Sequence, residues 1–224
     1  MIKNITNLGD AALYCDFGDK VNKEINSNVI NCFKNLQKAK IKGITNISPS
    51  YNKLIISFNL AEINYQSLKE KILKIKFENF DYEISEKIEI PVCCDEEFNL
   101  DSKRLTSKLN ISEEEIFKIF FDKDYYCYMT GFIAGMPFLG DIEESIRLKR
   151  LETPRVKVPK GAVGITEQFC NIYTFESPGG WNILGNTPLK IFDKSKKNNP
   201  SLIKPGDTVK FFKISKKEYL NWNE

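Results

Sequence analysis

Ser177-Pro178-Gly179-Gly180-Trp181-Asn182-Ile183-Leu184-Gly185-Asn186-Thr187-Pro188 belongs to the half of the chain whose pattern decides the fold. From about residue 125 onward, short β-prone segments alternate with Pro/Gly turns and helical periodicity fades. Ser177–Gly180 and Lys204–Asp207 each match a type II turn, with proline at the second position and glycine at the third. Regularly punctuated short strands predict a compact β-barrel or sandwich here.

The first ninety residues alternate instead between helical and strand patterns. Apolar residues at helical spacing predict an amphipathic helix from about 21 to 40, ended near Gly43. The β-forming run 54–58 predicts a half-buried strand, and a second helix is marked by Leu68, Ile72 and Ile75. A second strand is then predicted, because alternate positions are occupied by Tyr82, Ile84, Ile88 and Ile90, the spacing of side chains on one face of a β-strand. This order predicts a small α/β sandwich.

A domain boundary is predicted at Pro91 and the polar stretch 95–99. Two short helices should follow, the second starting at a capping box formed by Ser112 and Glu115. We therefore predict an α+β protein with an α/β sandwich domain at residues 1–90 and a β-barrel domain at residues 91–224.

The composition excludes several classes of chemistry. Histidine is absent from the 224 residues, which excludes a Ser-His-Asp triad, a Cys-His dyad, a His-ligated zinc site and an imidazole general base. The net charge of +3 is too small to predict nucleic-acid binding. With no apolar run long enough for a membrane span and no signal-peptide pattern, we expect no membrane association and a cytoplasmic location.

The six cysteines include no C-x-x-C pair, so neither a zinc knuckle nor a thioredoxin-like site is expected. We expect them to be reduced and packed as small apolar groups.

The segment Arg147–Lys160 is the most charged local feature, with six basic residues against the single acid Glu152. Pro154 and Pro159 make it extended and stiff. Arginines on such backbone suit bidentate capture of a carboxylate or phosphate, and a solvated basic loop is the alternative.

The glycine pair Gly179-Gly180 is the second candidate for ligand binding. Consecutive glycine amides can form an anion-binding nest, and Trp181 offers a stacking face. The alternative is a tight turn with a core tryptophan. A third motif, Gly131–Leu139, lacks the Gly-Lys-Ser/Thr ending of a P-loop and by itself predicts no nucleotide binding.

Four spaced strings in the C-terminal half form one combined pattern. They are Gly131-Phe132-x-x-Gly135-x-Pro137-Phe138-Leu139, Thr153-Pro154-Arg155-x-x-Val158-Pro159-x-Gly161-x-Val163, Glu167-Gln168 with Ile172-Tyr173, and Ser177-Pro178-Gly179-Gly180-Trp181-Asn182-x-x-Gly185-x-Thr187-Pro188. Weaker N-terminal pieces agree with them, among them Gly9-Asp10-Ala11-Ala12-Leu13. Together they resemble the family of B-type subunits of bacterial 5-oxoprolinase, whose members are also labelled allophanate hydrolase subunit 1 or KipI-like kinase inhibitors.

The resemblance implies a C-terminal barrel of cyclophilin-like type. It also implies a hydrolase subunit, inactive alone, of a complex that opens the 5-oxoproline lactam to glutamate with ATP and magnesium. The implied partners are a homologous cyclophilin-like subunit, the C-type subunit or allophanate hydrolase subunit 2, and a separate third subunit. No metal site is expected on this chain.

Residue roles follow from the same resemblance. Arg155, with Arg150, is expected to neutralise an anionic group. Gln168 and Thr187 are expected to orient the substrate or a developing oxyanion. The remaining residues assigned to the substrate site are Lys160, Ser177, Gly179, Gly180 and Trp181.

Departures from the family pattern leave other functions open. Ala134 and Met136 stand where the family usually has proline and phenylalanine, and a bulky Phe169 beside Gln168 is expected to narrow a pocket. One alternative is a binding module that inhibits a histidine kinase by docking on its dimerisation domain. Another is a carboxyltransferase subunit of the allophanate hydrolase or urea carboxylase type.

Overall fold

The structure is a computed structural model that describes residues 2–78 and 87–222. The chain divides into two compact units, Met1–Ile84 and Ser85–Glu224. The boundary predicted after residue 90 lies within the strand Ile88–Cys93, which pairs with strands of the second unit. Of the predicted strand Tyr82–Ile90, the positions Tyr82 and Ile84 lie outside the described residues.

The N-terminal unit has two helices on one face of a four-stranded antiparallel sheet of order β1-β2-β4-β3. Its elements are β1 Asn4–Asn7, β2 Ala12–Asp16, α1 Lys23–Ala39, β3 Ile44–Pro49, β4 Lys53–Phe58 and α2 Tyr65–Lys74. Alternate residues of β2 and β4 and one face of each helix form a shared core, including Leu13, Ile56, Leu36 and Leu68. The predicted helices and the 54–58 strand are confirmed.

Local capping explains where these helices begin and end. The Asn22 side chain accepts a hydrogen bond from the Ile25 amide at 2.9 Å, and Asn64 does the same for Ser67. Helix α1 ends at Lys40, which adopts left-handed backbone with φ of 43°. The C-terminal cap is therefore Lys40, and Gly43 lies beyond it.

The C-terminal unit is a closed seven-stranded barrel of order β10-β7-β6-β13-β5-β12-β9. All pairings in it are antiparallel except the parallel pair β13–β5. Two further strands, β8 and β11, form a separate antiparallel pair. The elements are β5 Ile88–Cys93, α3 Ser102–Leu109, α4 Glu113–Asp122, β6 Asp124–Thr130, β7 Pro137–Gly140, β8 Arg155–Val158, β9 Ala162–Thr166, β10 Phe169–Ile172, β11 Ser177–Gly179, β12 Asn182–Asn186, β13 Thr208–Ile214 and α5 Lys216–Leu220, with a 3₁₀ turn at Glu144–Ile146.

Every second residue of the barrel strands fills its interior, as the period of a β-strand requires. The fully buried set includes Val163, Ile165, Cys170, Ile172 and Phe211. Helix α4 adds Phe120, whose ring stacks on Phe211 at a centroid distance of 5.1 Å. The predicted α+β class with a C-terminal β-barrel is confirmed.

The six cysteines are free thiols and all are buried. Burial raises the pKa of Cys15, Cys32 and Cys94 to about 12, so these thiols stay protonated at neutral pH. Within the described part of the chain, no helix combines the length and apolarity needed to cross a membrane.

One of the two predicted type II turns is confirmed and the other is wrong. At Lys204–Asp207 the Asp207 amide donates to the Lys204 carbonyl at 3.1 Å, and Gly206 has φ of 98°. The prediction for Ser177–Gly180 is wrong, because residues 177–179 form β11 and pair with β8. The local sequence fits both conformations, and pairing with a distant strand selects the extended one.

We predict that Gly206→Ala lowers the free energy of unfolding by about 1 kcal/mol, because a side chain is strained at this positive φ. Gly206→Asn should lose less, since asparagine tolerates left-handed backbone better than alanine. Urea unfolding followed by circular dichroism measures both. Equal stability of the alanine variant and the unsubstituted protein would contradict the assignment of the turn.

Candidate functional site

Arg155, the predicted anion-binding residue, is held by a buried carboxylate of its own unit. Its Nη2 lies 2.6 Å from Oδ1 of Asp101, and its Nη1 donates to the Trp181 carbonyl at 3.4 Å. The Asp101 side chain is 4% exposed, and its Oδ2 accepts from the Ile183 amide at 2.6 Å. We call the pairing of Asp101 with Arg155 and the Ile183 amide the clamp. It joins β8, the loop before α3 and the start of β12. The charge of Arg155 is therefore already matched inside the protein.

The other cations of the basic segment fall into two groups. Arg147 and Lys157 pair with exposed acids, Glu144 at 3.8 Å and Glu176 at 3.0 Å. Within residues 2–78 and 87–222, no ion pair involves the exposed Lys149, Arg150 or Lys160. These three cations are thus available to an anion.

In the Ser177–Trp181 segment, close packing explains Gly179, and a backbone hydrogen bond holds the neighbouring Gly180. A side chain on Gly179 would overlap the Tyr173 hydroxyl, whereas the Gly180 carbonyl accepts a hydrogen bond from the Leu151 amide at 2.6 Å. Neither glycine has the left-handed backbone that a nest requires. Trp181 packs edge-on against Phe138, with ring centroids 5.6 Å apart. The Ser177 hydroxyl oxygen is buried and has no hydrogen-bond partner among the described residues.

A cluster of polar side chains that the sequence did not reveal surrounds Gln168. The Gln168 amide nitrogen donates to Oδ1 of Asp141 at 2.9 Å, and the hydroxyl of Tyr128 donates to Oδ2 at 2.9 Å. We call Tyr128, Asp141 and Gln168 the carboxylate cluster. Tyr128 is buried, whereas Asp141 and Gln168 are half-buried, so the carboxylate lies at the surface of the barrel end.

The walls of the carboxylate cluster are aromatic. Phe169 packs edge-on against Tyr128 with ring centroids 5.7 Å apart, and a side chain on Gly140 would overlap the Tyr128 ring and crowd Phe169. Burial, followed by the hydrogen bond to Asp141, raises the pKa of Tyr128, which keeps its hydroxyl protonated as a donor. Phe169, which was expected to narrow a pocket, thus fixes the ring that orients the carboxylate.

Asp141 and Tyr128 flank the motif Gly131–Leu139 at its two ends, and this position is the only sequence signal for them. Their meeting depends on the pairing of β6 with β7, which places Tyr126 opposite Gly140 and Cys127 opposite Leu139. A single sequence does not reveal that register.

Part of the basic segment is attached to the same end of the barrel. The Gln168 carbonyl accepts from the Ile142 amide at 3.0 Å, and the Glu167 amide donates to the Leu148 carbonyl at 2.9 Å. Arg147 Nε donates to the Ile142 carbonyl at 3.0 Å. The carboxylate cluster and the start of the basic segment therefore form one polar surface.

Thr187 and Lys160 lie at the opposite end of β9 and β12. The Thr187 amide donates to the Gly161 carbonyl at 2.9 Å, and its hydroxyl accepts from the Leu189 amide at 3.3 Å. The five residues of β9 span about 17 Å at a rise of about 3.3 Å per residue. Gln168 and Thr187 therefore do not reach the same atom of a small substrate.

Comparisons with known proteins agree with the resemblance. The family model described as "Carboxyltransferase domain, subdomain C and D" matches residues 3–203. The B-type subunit of 5-oxoprolinase from Bacillus subtilis is 33% identical over 234 aligned residues, which cover 98% of this chain and 96% of that protein.

Two solved structures extend the comparison. The crystal structure of TTHA0988 superposes with a TM-score of 0.83 at 30% identity, covering 91% of this chain but 40% of that one. This chain therefore spans well under half of the TTHA0988 chain. The Kluyveromyces lactis urea carboxylase gives a TM-score of 0.78 at 17% identity, covering 97% of this chain and 22% of that one, and it supports the fold alone.

We predict that Arg155→Met lowers the free energy of unfolding by about 3 kcal/mol, because it leaves the Asp101 charge buried without a partner. Adding Asp101→Asn should restore part of the loss, since no lone buried charge then remains. Lys157→Met, which breaks an exposed pair, is the matched control and should change stability little. Equal effects of the Arg155 and Lys157 variants in urea unfolding would contradict the clamp.

We predict that Gly179→Ala lowers the free energy of unfolding by about 1–3 kcal/mol through overpacking against Tyr173. Gly180→Ala is the neighbouring control, because its nearest new contact would be the Leu151 carbonyl oxygen at 3.5 Å, an ordinary separation. Thermal unfolding of the two variants measures the difference. If the two midpoints are equal, close packing is not the reason for Gly179.

Proposed function

This chain belongs to the carboxyltransferase domain, subdomain C and D, family, and on that premise we propose that it is one subunit of a 5-oxoprolinase complex. The proposed reaction opens the 5-oxoproline lactam to glutamate with ATP as co-substrate. The observation that carries the proposal is the match to the B-type subunit of the Bacillus subtilis 5-oxoprolinase, which extends over 98% of this chain and 96% of that subunit. The name of that relative supports a multi-subunit assembly.

The geometry supports a subunit that needs others for turnover. Arg155 is neutralised by Asp101, and Gln168 and Thr187 lie at opposite ends of a strand. The residues predicted to share one catalytic centre are thus dispersed. We propose that a homologous cyclophilin-like subunit and a separate third subunit supply the remaining groups.

ATP enters the proposal as a co-substrate of the complex, and no step is assigned to it on this chain. Gly179 is fixed by packing, and neither Gly179 nor Gly180 has the left-handed backbone of a phosphate-binding nest. Among the described residues, no group of three or more Cys, Asp or Glu side chains is placed to hold the accompanying magnesium.

We predict that this chain alone forms no glutamate from 5-oxoproline, because its predicted catalytic groups do not converge. Co-expression with the two proposed partner subunits should yield a stable complex that forms glutamate only when ATP is present. Glutamate is measured after purification, and complexes lacking one subunit at a time serve as controls.

Three outcomes of this experiment would contradict the proposal. Turnover by this chain alone would show that partners are not needed. An assembled complex that is inert toward 5-oxoproline but consumes a urea-derived carboxylate would favour the carboxyltransferase alternative. Failure to assemble, with binding to a histidine kinase instead, would favour the inhibitory binding module.

A further inference from the structure

We propose that Asp141, Gln168 and Arg147 form a binding subsite for an anionic amide, a small molecule that carries both an amide N–H and a carboxylate. Asp141 accepts the N–H, and Arg147 binds the carboxylate. The inference rests on the proposed function, because 5-oxoproline contains both groups. It assigns this recognition to the barrel end near β10 and not to Arg155 or Thr187.

Asp141 has unused capacity to accept hydrogen bonds. A carboxylate offers about four lone-pair sites, and the hydrogen bonds from Gln168 and Tyr128 fill one site on each oxygen. Both of those donors are neutral, so the negative charge of Asp141 is oriented but not cancelled. A half-buried carboxylate in this state is a strong acceptor for an amide N–H.

The orientation of Asp141 is fixed before any ligand arrives. Tyr128 is fully buried, and its ring packs against Phe169 and into the space beside Gly140 that a larger residue would fill. The backbone of Gln168 is tied to Ile142 at 3.0 Å, one residue beyond Asp141. Preorganised acceptors bind more tightly, because less conformational entropy is lost on binding.

Arg147 supplies the opposite charge beside this carboxylate. Its Nε is committed to the Ile142 carbonyl, and its contact with Glu144 is long, at 3.8 Å, with that acid 89% exposed. The guanidinium therefore retains donors for a carboxylate while its position is fixed one residue from Asp141. The Asp141 carboxylate and the guanidinium anchored at the next residue thus belong to the same stretch of polar surface.

The two charges together dictate how a ligand is oriented. Asp141 repels a carboxylate and attracts an N–H donor, whereas Arg147 attracts a carboxylate and repels a cation. A molecule with both groups satisfies both sides in one orientation. A purely cationic or a purely anionic ligand satisfies one side and opposes the other.

The test uses the co-expressed complex with three probes: 5-oxoproline, 2-pyrrolidone, which lacks the carboxylate, and N-methyl-5-oxoproline, which lacks the N–H. Equilibrium dialysis without ATP gives the affinity for each probe. Asp141→Asn should weaken 5-oxoproline binding about 10- to 100-fold without weakening binding of the N-methyl probe. Arg147→Met should weaken 5-oxoproline binding by a similar factor while barely changing binding of 2-pyrrolidone.

Matched controls separate recognition from folding. Glu143→Gln removes an exposed neighbouring carboxylate that pairs with Lys123, and Lys157→Met removes an exposed cation elsewhere. Neither should change the ratio of affinities between probes. Gel filtration and circular dichroism confirm that each variant complex assembles, and a general loss of structure would weaken all three probes alike.

The inference and the proposed function fail in different ways. If the unsubstituted complex forms glutamate but the Asp141 and Arg147 variants keep all three affinities, the subsite is overturned and the function stands. If the unsubstituted complex binds 5-oxoproline with the expected variant pattern yet never forms glutamate, the function is overturned and the subsite stands. Absence of 5-oxoproline binding to the unsubstituted complex overturns the subsite.

Discussion

The buried charge of Asp101 is the constraint on which the arrangement of the C-terminal unit depends. Its carboxylate takes a hydrogen bond from the Ile183 amide at the start of β12 and an ion pair from Arg155 at the start of β8. A carboxylate removed from water is tolerated only when it is fully paired, so these three parts of the chain are held in one arrangement. The basic segment owes its course over the barrel to this requirement, and its first residues reach the carboxylate cluster.

The two ends of the barrel serve different purposes in this structure. At the end near β10, neutral donors hold Asp141 in place without cancelling its charge, and Arg147 is bound to the carbonyl of the next residue. At the other end, the Thr187 hydroxyl and amide are both used in local hydrogen bonds. The two residues therefore differ in their free hydrogen-bonding capacity. Thr187 uses its groups within the fold, whereas Asp141 keeps acceptor sites for a ligand.

Sequence patterns predicted the features that depend on near neighbours. Helical periodicity located α1 and α2, and proline with glycine located the turn at Gly206, because each arises within a few residues. The same proline–glycine pattern wrongly predicted a type II turn at Ser177–Gly180, because pairing with β8 makes this segment extended. Asp101 and Asp141 were missed altogether, because their partners lie 54 residues away at Arg155 and 27 away at Gln168. A motif-based resemblance found Arg155 and Gln168 but not the acids that fix them.

The parallel pairing of β13 with β5 has a consequence for how the barrel is made. Ile88 lies opposite Val209, so the first strand of the unit is joined to the last one. Every other strand of the barrel is connected to a neighbour before this pair can form, and closure waits until residues 208–214 have left the ribosome. Until then the barrel has two open edges and an uncovered interior, and such unpaired edges favour aggregation of an incomplete chain. Bringing such distant strands together also costs loop entropy, which favours slow closure of the barrel.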